Sequence, residues 1–384
     1  MATPQHTRRK FIRQTATGGL AALTLNSLST KAAVLADAVN EEAETAKTHY
    51  KPDVVVRSIP KNMIFGVYGA DIPPVARAKD GQIVEIQTIN TTGISSKDPE
   101  AFFKANNFPI DQHAQDVIDI VKNVKPDPSG IRGHMLTGPV YIEGAEPGDM
   151  LEVRLLDIIP RSGYGVNAVW PHGGGLPDAV TTSETFVYRY NDKKTMASFM
   201  EGIEVPIKPF FGVMALSPPA DMGKVSSIPP GYYGGNFDIK YLTKGSTVYL
   251  PVSVPGGLFT TGDCHAAEGN GEVSGVAIEA SLTMVAQFIV HKGKTIKMAR
   301  AETPTHFIAI GIDPDLRQAM KNAITEATNF ISTELGFTFN QALSICSTAV
   351  DFEVSQVVNR TQGVHAMIPK SVFTNKKFEY WTKG

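Results

Sequence analysis

The sequence predicts an α+β fold that is rich in β-structure, with packed β-sheets and a C-terminal helical layer (β/β/α type). Short stretches of β-branched and apolar residues recur between residues 53 and 312, and turns rich in glycine and proline separate them. Apolar residues then repeat with a period of 3.6 from Leu316 to Ile331, which is typical of an amphipathic helix. No fixed repeat, heptad pattern or basic stripe indicates a solenoid, a coiled coil or a nucleic-acid-binding protein.

The predicted strands follow from local pattern and turn residues. The segments 139–143 and 150–157 are predicted to be two strands joined by the turn 144–149, where Pro147-Gly148 suits a position of positive φ. The glycine-rich segment 166–175 is predicted to be a loop, and it lacks the spacing of a nucleotide-binding motif. The other predicted strands are 53–59, 83–89, 210–216, 247–254, 275–290, 306–312 and 364–368.

Two helices are predicted near the C-terminus. Asp313 is the expected N-cap of the first, followed by Pro314 at the first helical position, and Gly336 is the expected stop. Residues 339–349 form the second predicted helix. Residues 98–125 carry weaker helical signals.

The N-terminus resembles an export signal. Residues 7–13, which contain Arg8-Arg9, closely resemble the twin-arginine motif, and a short apolar run from 18 to 28 follows. That run is too short and too polar for a membrane anchor. We therefore expect a signal peptide at 1–38, a lead-in at 39–49 and one domain at 50–384. We then also expect the twin-arginine export machinery as a partner, and a location in the periplasm or outside the cell. The alternative to a signal peptide is a disordered basic tail.

Charge and cysteine content narrow the class of protein further. Removing residues 1–38 takes away five Lys/Arg and one Asp, which leaves 31 basic and 37 acidic residues. A net charge of −6 argues against nucleic acid as a partner. Cys264 and Cys346 lie far apart in sequence, and we expect both to be unpaired, with Cys346 in the core.

The run from Gly262 to Glu272 concentrates chemically active side chains. Asp263 and His265 are two residues apart, so in an extended segment both face the same side. Asn236 and Asp238 have the same spacing, and the strand predicted at 247–254 lies between the two pairs. The pairs are therefore expected to meet at one end of a sheet and form a composite site. A polar hairpin loop is the alternative for 262–272.

Several spaced motifs carry a family resemblance. They are His134-Met-Leu-Thr-Gly-Pro139, Gly144-Ala-Glu-Pro-Gly-Asp149, Gly234-Gly-Asn-Phe-Asp-Ile239 with Leu242-Thr-Lys-Gly245, and Gly262 to Glu272. In this order they resemble the acetamidase/formamidase family. The resemblance implies a β-rich, metal-containing amidohydrolase that splits small linear amides into a carboxylate and ammonia, and a homo-oligomer. Glu268 stands where that family usually has glutamine, and Asn270 where it usually has aspartate.

The sequence thus leads to an assignment of roles for metal-assisted amide hydrolysis. Asp238, Asp263 and His265 are the candidate metal ligands, with His134 a weaker one. Mixed nitrogen and oxygen ligands suit zinc, while manganese and calcium stay open. Glu272 is the candidate general base and Asn236 the candidate for orienting the substrate. The alternatives are a periplasmic binding or scaffold protein on the same fold, and a metal-dependent lyase acting on a small acid.

Overall fold

The computed structural model describes residues 50–379. The predicted signal peptide (1–38), the lead-in (39–49) and the last five residues of the predicted domain (380–384) lie outside the described residues. Within residues 50–379, no helix is both long enough and apolar enough to cross a membrane.

The described part of the chain is built mainly from strands. The first eleven are β1 (Val54–Val56), β2 (Met63–Phe65), β3 (Val67–Tyr68), β4 (Ala76–Lys79), β5 (Ile83–Gln87), β6 (Met135–Glu143), β7 (Met150–Pro160), β8 (Tyr164–Val169), β9 (Glu184–Tyr190), β10 (Met196–Met200) and β11 (Ile203–Pro206). The others are β12 (Phe210–Ala215), β13 (Val225–Ser226), β14 (Gly234–Asn236), β15 (Thr247–Pro251), β16 (Phe259–Ala267), β17 (Ile278–Glu279), β18 (Leu282–His291), β19 (Arg300–Glu302), β20 (His306–Asp313), β21 (Asp351–Gln356) and β22 (Gln362–Pro369). The helices are α1 (Glu100–Ala105), α2 (Gln112–Asn123), α3 (Leu316–Thr333) and α4 (Phe339–Ala349).

Two large sheets face each other across the main core. One has nine strands in the order β1-β5-β18-β7-β15-β19-β20-β22-β21. The other has eleven, with β11-β10-β9-β8-β17-β16-β12-β14 along its path and β6 joining β16 to β2 and β4. Apolar residues of β7, such as Leu151 and Val153, share one buried cluster with Phe211 of β12 and Phe259 of β16. The predicted packing of sheets is confirmed.

The C-terminal helical layer is also confirmed. Helix α3 packs on β20 so closely that a Cβ atom added at Gly311 would clash with the helix backbone at Ala323. Ile331 of α3 and Cys346 of α4 share a buried apolar cluster with Ala366 of β22.

The predicted start of the first helix was wrong by two residues. Asp315, not Asp313, is the N-cap of α3, and its side chain accepts a hydrogen bond from the Gln318 amide at 2.8 Å. Asp313 still pairs with Gln362 of β22, so the backbone stays extended until the strand ends. Residues 339–349 form α4 as predicted, behind a capping box of Thr338 and Gln341.

The expectations for the two cysteines and for residues 98–125 were confirmed, and the one for residues 166–175 was partly wrong. Cys264 and Cys346 are both free and buried. The predicted loop at 166–175 was wrong in its first part, because residues up to Val169 belong to β8 and pair with β9. Helices α1 and α2 account for the weak helical signals, and Asp111 caps α2 by accepting from the Ala114 amide.

Candidate active site

The candidate site lies where the eleven-stranded sheet divides. On one side, β16 pairs with β12 from Thr260 to His265. On the other side it pairs with β6 as far as Gly262 and with β17 from His265 onward. Asp263 therefore sits between two partner strands.

The two polar pairs come together across β12. Val213 of β12 pairs with Asn236 of β14 on one side and with Gly262 of β16 on the other. This brings the residues that follow Asn236 and Gly262 to the same region. The strand between them in sequence, β15, belongs to the other sheet, so the two pairs do not meet at one end of it as expected. Asp263 lies in the middle of β16, and Asp238 follows the end of β14.

Backbone strain concentrates at three acidic residues of the site. Asp238, Asp263 and Glu272 have φ values of +50°, +49° and +46°, a region that residues with a Cβ atom adopt infrequently. Such conformations cluster at functional sites, where the surrounding structure holds them in place. Gly212 of β12 lies opposite, and a Cβ atom there would press on the carboxylates of Asp238 and Asp263.

His265 is at the centre of the cluster and is fully buried. Its Nδ1 is 3.1 Å from Glu268 Oε2. Its Nε2 is 3.3 Å from Glu279 Oε1 and 3.6 Å from Asp263 Oδ1, and it makes no hydrogen bond among the described residues. Glu279 is the cross-strand neighbour of His265 on β17.

Asn359 links two further carboxylates. Its Nδ2 donates to Asp238 Oδ2 at 2.7 Å and to Glu272 Oε2 at 3.4 Å. Asp238 is fully buried, and its Oδ1 has no hydrogen-bond partner in the described part of the chain.

The other two predicted site residues lie at the margin of this cluster. His134 immediately precedes β6; its Nε2 is 3.6 Å from Asp263 Oδ2 and its Nδ1 is 3.1 Å from Ser227 Oγ. Asn236 is buried at the end of β14, and its Oδ1 has no hydrogen-bond partner within residues 50–379.

Burial and mutual repulsion set the protonation of the carboxylates. Burial raises the pKa of Asp238 well above its usual range, and the negative charge of Asp263 adds to this. Burial likewise raises the pKa of Glu272, reinforced by Asp238, and raises the pKa of Glu268 to about 7. Glu279 also has a raised pKa because it is buried. The cluster thus carries more acidic groups than its own positive charge can keep ionised.

In Asp263 and His265, by contrast, the neighbouring charges shift the pKa so that the charged form of the side chain is favoured. Burial alone would raise the pKa of Asp263, but His134 and His265 outweigh it and leave that pKa lowered. Burial alone would lower the pKa of His265, but Glu279 and Asp263 outweigh it and raise that pKa well above its usual value.

The donor set fits a divalent cation. Asp238, Asp263 and His265 each offer one ligand atom, and these atoms lie within 4.8 Å of one another; His265, Glu272 and Glu279 form a second such group. Asp238 Oδ1 and His265 Nε2 are among the buried side-chain atoms that make no hydrogen bond within the described residues. Buried polar atoms normally have partners, and a cation would satisfy both of these while offsetting the excess negative charge.

A cavity of about 410 Å³ adjoins the cluster. Glu268, Asn270 and Glu272 line it, together with Asn167 and Tyr188. Its size suits a small molecule, and two site carboxylates reach its wall.

Sequence reasoning missed Glu279 and Asn359 and gave Glu268 no role. Glu279 carries no local signal, because it becomes a neighbour of His265 only through the register of β16 and β17. Asn359 follows β21 in a segment far from the motif, and nothing in its sequence neighbourhood indicates a site.

Several known proteins resemble this chain in sequence and in fold. The model of the Acetamidase/Formamidase family matches residues 58–227 and 220–375. A formamidase from Methylophilus methylotrophus is 27% identical, over 79% of this chain and 88% of that protein. An acetamidase from Mycolicibacterium smegmatis is 26% identical, over 56% of this chain and 73% of that protein. The crystal structure of an acetamidase from Bacillus halodurans superposes with a TM-score of 0.69 at 27% identity, covering 84% of this chain and 99% of that one.

Proposed function

The chain belongs to the acetamidase/formamidase family, and from that premise we propose that it hydrolyses the C–N bond of small linear amides with the help of a divalent cation. One water is consumed, the bond between its oxygen and the carbonyl carbon forms, and the C–N bond breaks to give a carboxylate and ammonia. The observation that carries the proposal is the buried acidic cluster around His265, with unpartnered ligand atoms beside a cavity of small-molecule size. The names of the relatives support the choice of an amide as substrate.

Asp238, Asp263 and His265 are the residues that would hold the cation, and the mixed oxygen and nitrogen donors favour zinc. When bound, such an ion lowers the pKa of a water molecule and polarises a carbonyl group. His134, 3.6 Å from Asp263 Oδ2, is better placed to balance the charge of that carboxylate than to complete the ligand group.

Glu272 takes the proton of the attacking water and returns it to the departing nitrogen. Its side chain is buried, lines the cavity, and accepts from Asn359 Nδ2. Burial raises the pKa of Glu272, which makes its ionised form a stronger proton acceptor. Asn359 holds this carboxylate beside Asp238.

Asn236 orients the substrate in this proposal. Its Oδ1 is buried without a hydrogen-bond partner in the described chain, so it can accept from the NH₂ group of a primary amide. A buried acceptor of this kind favours an amide over the corresponding ester, which has no N–H to donate.

Ammonia release from purified protein starting at Val39 tests the proposal. Formamide, acetamide and longer primary amides would be compared with a small acid as a lyase substrate. We expect ammonia to form in proportion to enzyme and time with the short amides. Tight metal binding without turnover of any amide would support a binding protein instead, and turnover of the acid alone would support a lyase.

We further propose that the chain is exported through the twin-arginine machinery, acts in the periplasm or outside the cell, and forms a homo-oligomer. The motif around Arg8-Arg9 supports export. The exposed side chains of Met200 on β10 and Ile203 on the adjacent edge strand β11 support self-association. Changing both arginines to lysine should retain the precursor in the cytoplasm. Undiminished exported product from that variant would reject the export proposal. A monomeric mass by light scattering would reject the homo-oligomer.

A further inference from the structure

The short loop between Ala267 and Glu272 carries an acid, Glu268, beside a histidine ring and an amide, Asn270, beside a carboxylate. On the premise of the proposed cation site, we propose that Glu268 and Asn270 act as a pair of positioning residues. Glu268 orients the His265 ring, and Asn270 fastens the loop to Glu353 on the edge strand β21.

Glu268 contacts the ring nitrogen that faces away from the other carboxylates. Its side chain is 1% exposed, and its Oε2 accepts from His265 Nδ1 at 3.1 Å. This hydrogen bond keeps the Nδ1 proton in place and leaves Nε2 directed at Asp263 and Glu279. A histidine that binds a cation through Nε2 requires this ring orientation, and a carboxylate on Nδ1–H also makes the ring a stronger ligand.

Asn270 meets a different neighbour. Its Nδ2 donates to Glu353 Oε2, and the Tyr241 hydroxyl donates to the same carboxylate at 2.8 and 3.0 Å. The adjacent backbone is also bonded to β21, because the Gly271 amide donates to the Ser355 carbonyl at 2.8 Å. The loop is thereby attached to the edge of the nine-stranded sheet.

Both of the segments that this contact joins carry residues of the site. The loop carries Glu268 and Glu272, and the segment after β21 carries Asn359, which donates to Glu272 and Asp238. The contact between Asn270 and Glu353 joins these two segments. An aspartate at position 270 would set two carboxylates against each other, whereas an acid at 268 meets a ring N–H. Each residue type therefore suits the position it occupies.

The Glu268 arm is tested by Zn²⁺ binding to metal-free protein, measured by equilibrium dialysis. E268A removes the acceptor, and we expect Zn²⁺ affinity to fall roughly 10- to 100-fold, the range for residues that orient a ligand. E268Q keeps an oxygen acceptor for Nδ1–H without the charge, so its affinity should lie between those of E268A and the wild type. Equal affinity for E268A and the wild type would overturn this arm.

The Asn270 arm is tested by placing a carboxylate at position 270, by then removing the opposing charge at position 353, and by measuring Zn²⁺ affinity each time. N270D should weaken Zn²⁺ binding roughly 10-fold, and adding E353Q should restore it to within about threefold, because the amide introduced at position 353 can then donate to the carboxylate introduced at position 270. N270A removes the hydrogen bond without adding charge and should cost less than N270D. An N270D variant with wild-type affinity, or one that E353Q fails to rescue, would overturn this arm.

These readouts separate the positioning roles from the proposed reaction. Zn²⁺ affinity and the melting temperature of the metal-free variants do not depend on amide turnover. A wild type that binds Zn²⁺ but releases no ammonia would reject the proposed function while leaving both positioning tests in force. Wild-type protein that binds no Zn²⁺ would overturn the positioning roles themselves.

Discussion

Two of the buried clusters of charged residues in the described part of the chain differ in how completely their atoms are paired. In the first, Arg161 donates to Asp116 Oδ2 at 2.9 Å, to Ser58 Oγ at 2.6 Å and to the Thr88 carbonyl at 2.8 Å. Gln112 donates to the other oxygen of Asp116 at 2.9 Å. This cluster, which we call the closed cluster, balances a positive charge against a negative one and satisfies both carboxylate oxygens.

The second cluster, around His265, is open. It gathers Asp238, Asp263, Glu268, Glu272 and Glu279 near one imidazole, and leaves Asp238 Oδ1, Glu268 Oε1 and His265 Nε2 without hydrogen-bond partners among the described residues. Buried charge by itself therefore does not distinguish a functional site. The distinguishing features are uncompensated charge, unpartnered ligand atoms and a strained backbone, which together indicate that a further group belongs there.

The largest expected effect on stability comes from breaking the closed cluster. Asp116→Ala leaves the Arg161 guanidinium buried without its carboxylate, which should lower the free energy of unfolding by about 3–5 kcal/mol. Denaturant unfolding measures this change. Asp119→Ala, at an exposed position on the same helix, is the matched control and should stay within about 0.5 kcal/mol of wild type. If Asp116→Ala were as stable as its control, the closed cluster would have no structural role.

A comparable effect on rate, without a loss of stability, is expected in the open cluster. Glu272→Gln should keep the fold and the cation but lose proton transfer, which lowers kcat about 10²- to 10⁴-fold, or roughly 3–5 kcal/mol of barrier. KM should change little, because binding does not require the proton to move. Melting temperature, metal content and kcat are measured on one preparation.

Glu302→Gln is the control for Glu272→Gln. Glu302 is also a buried carboxylate, but it lies on β19 in the other sheet and accepts from Tyr249 at 2.5 Å. We expect it to retain kcat. A stable, metal-replete Glu272→Gln protein with the wild-type kcat would contradict the assignment of the general base.

The smallest effect concerns pH and His113, a buried histidine of α2 that is affected by the charge of Arg161. Burial, helped by the charge of Arg161, lowers the pKa of His113 to about 4. Its pKa in the unfolded chain is near 6.5, so above pH 6.5 the residue is neutral in both states and costs nothing. As the pH falls from 6.5 towards 4, the unfolded state takes up the proton first and stability decreases, on the order of 1–2 kcal/mol by pH 5.

His113→Gln should remove that part of the acid sensitivity. The free energy of unfolding of the variant and the wild type would be measured at pH 7 and pH 5, and the difference between the two proteins should change in favour of the variant at pH 5. Parallel pH dependence in both proteins would show that His113 titrates normally in the folded state.

The sequence predicted the fold well where a single local pattern decides the structure. The 3.6-residue period predicted α3, and residues 339–349 form α4 as predicted. It failed where a tertiary contact decides, as at Asp313, which pairing with Gln362 keeps in a strand. The glycine-rich segment after Val166 was misread for the same reason, because pairing with β9 extends β8 into it.

The site was predictable to the extent that its residues share a short motif. Asp263 and His265 follow from the spacing of two in an extended run, and Asp238 from the same spacing beside Asn236. Glu279 and Asn359 required the strand register and the path of the chain after β21, which no local pattern encodes. The open or closed nature of a cluster is likewise visible only once every partner is in place.

The metal content of site variants tests the central claim most directly. Purified wild-type protein, Asp263→Asn and His265→Ala would be compared by elemental analysis, with Asp119→Ala as the control. We predict that the wild type and the control carry a divalent metal in stoichiometric amounts, and that both site variants lose most of it while remaining folded. Wild-type metal content in both Asp263→Asn and His265→Ala would contradict the claim that the open cluster is a cation site.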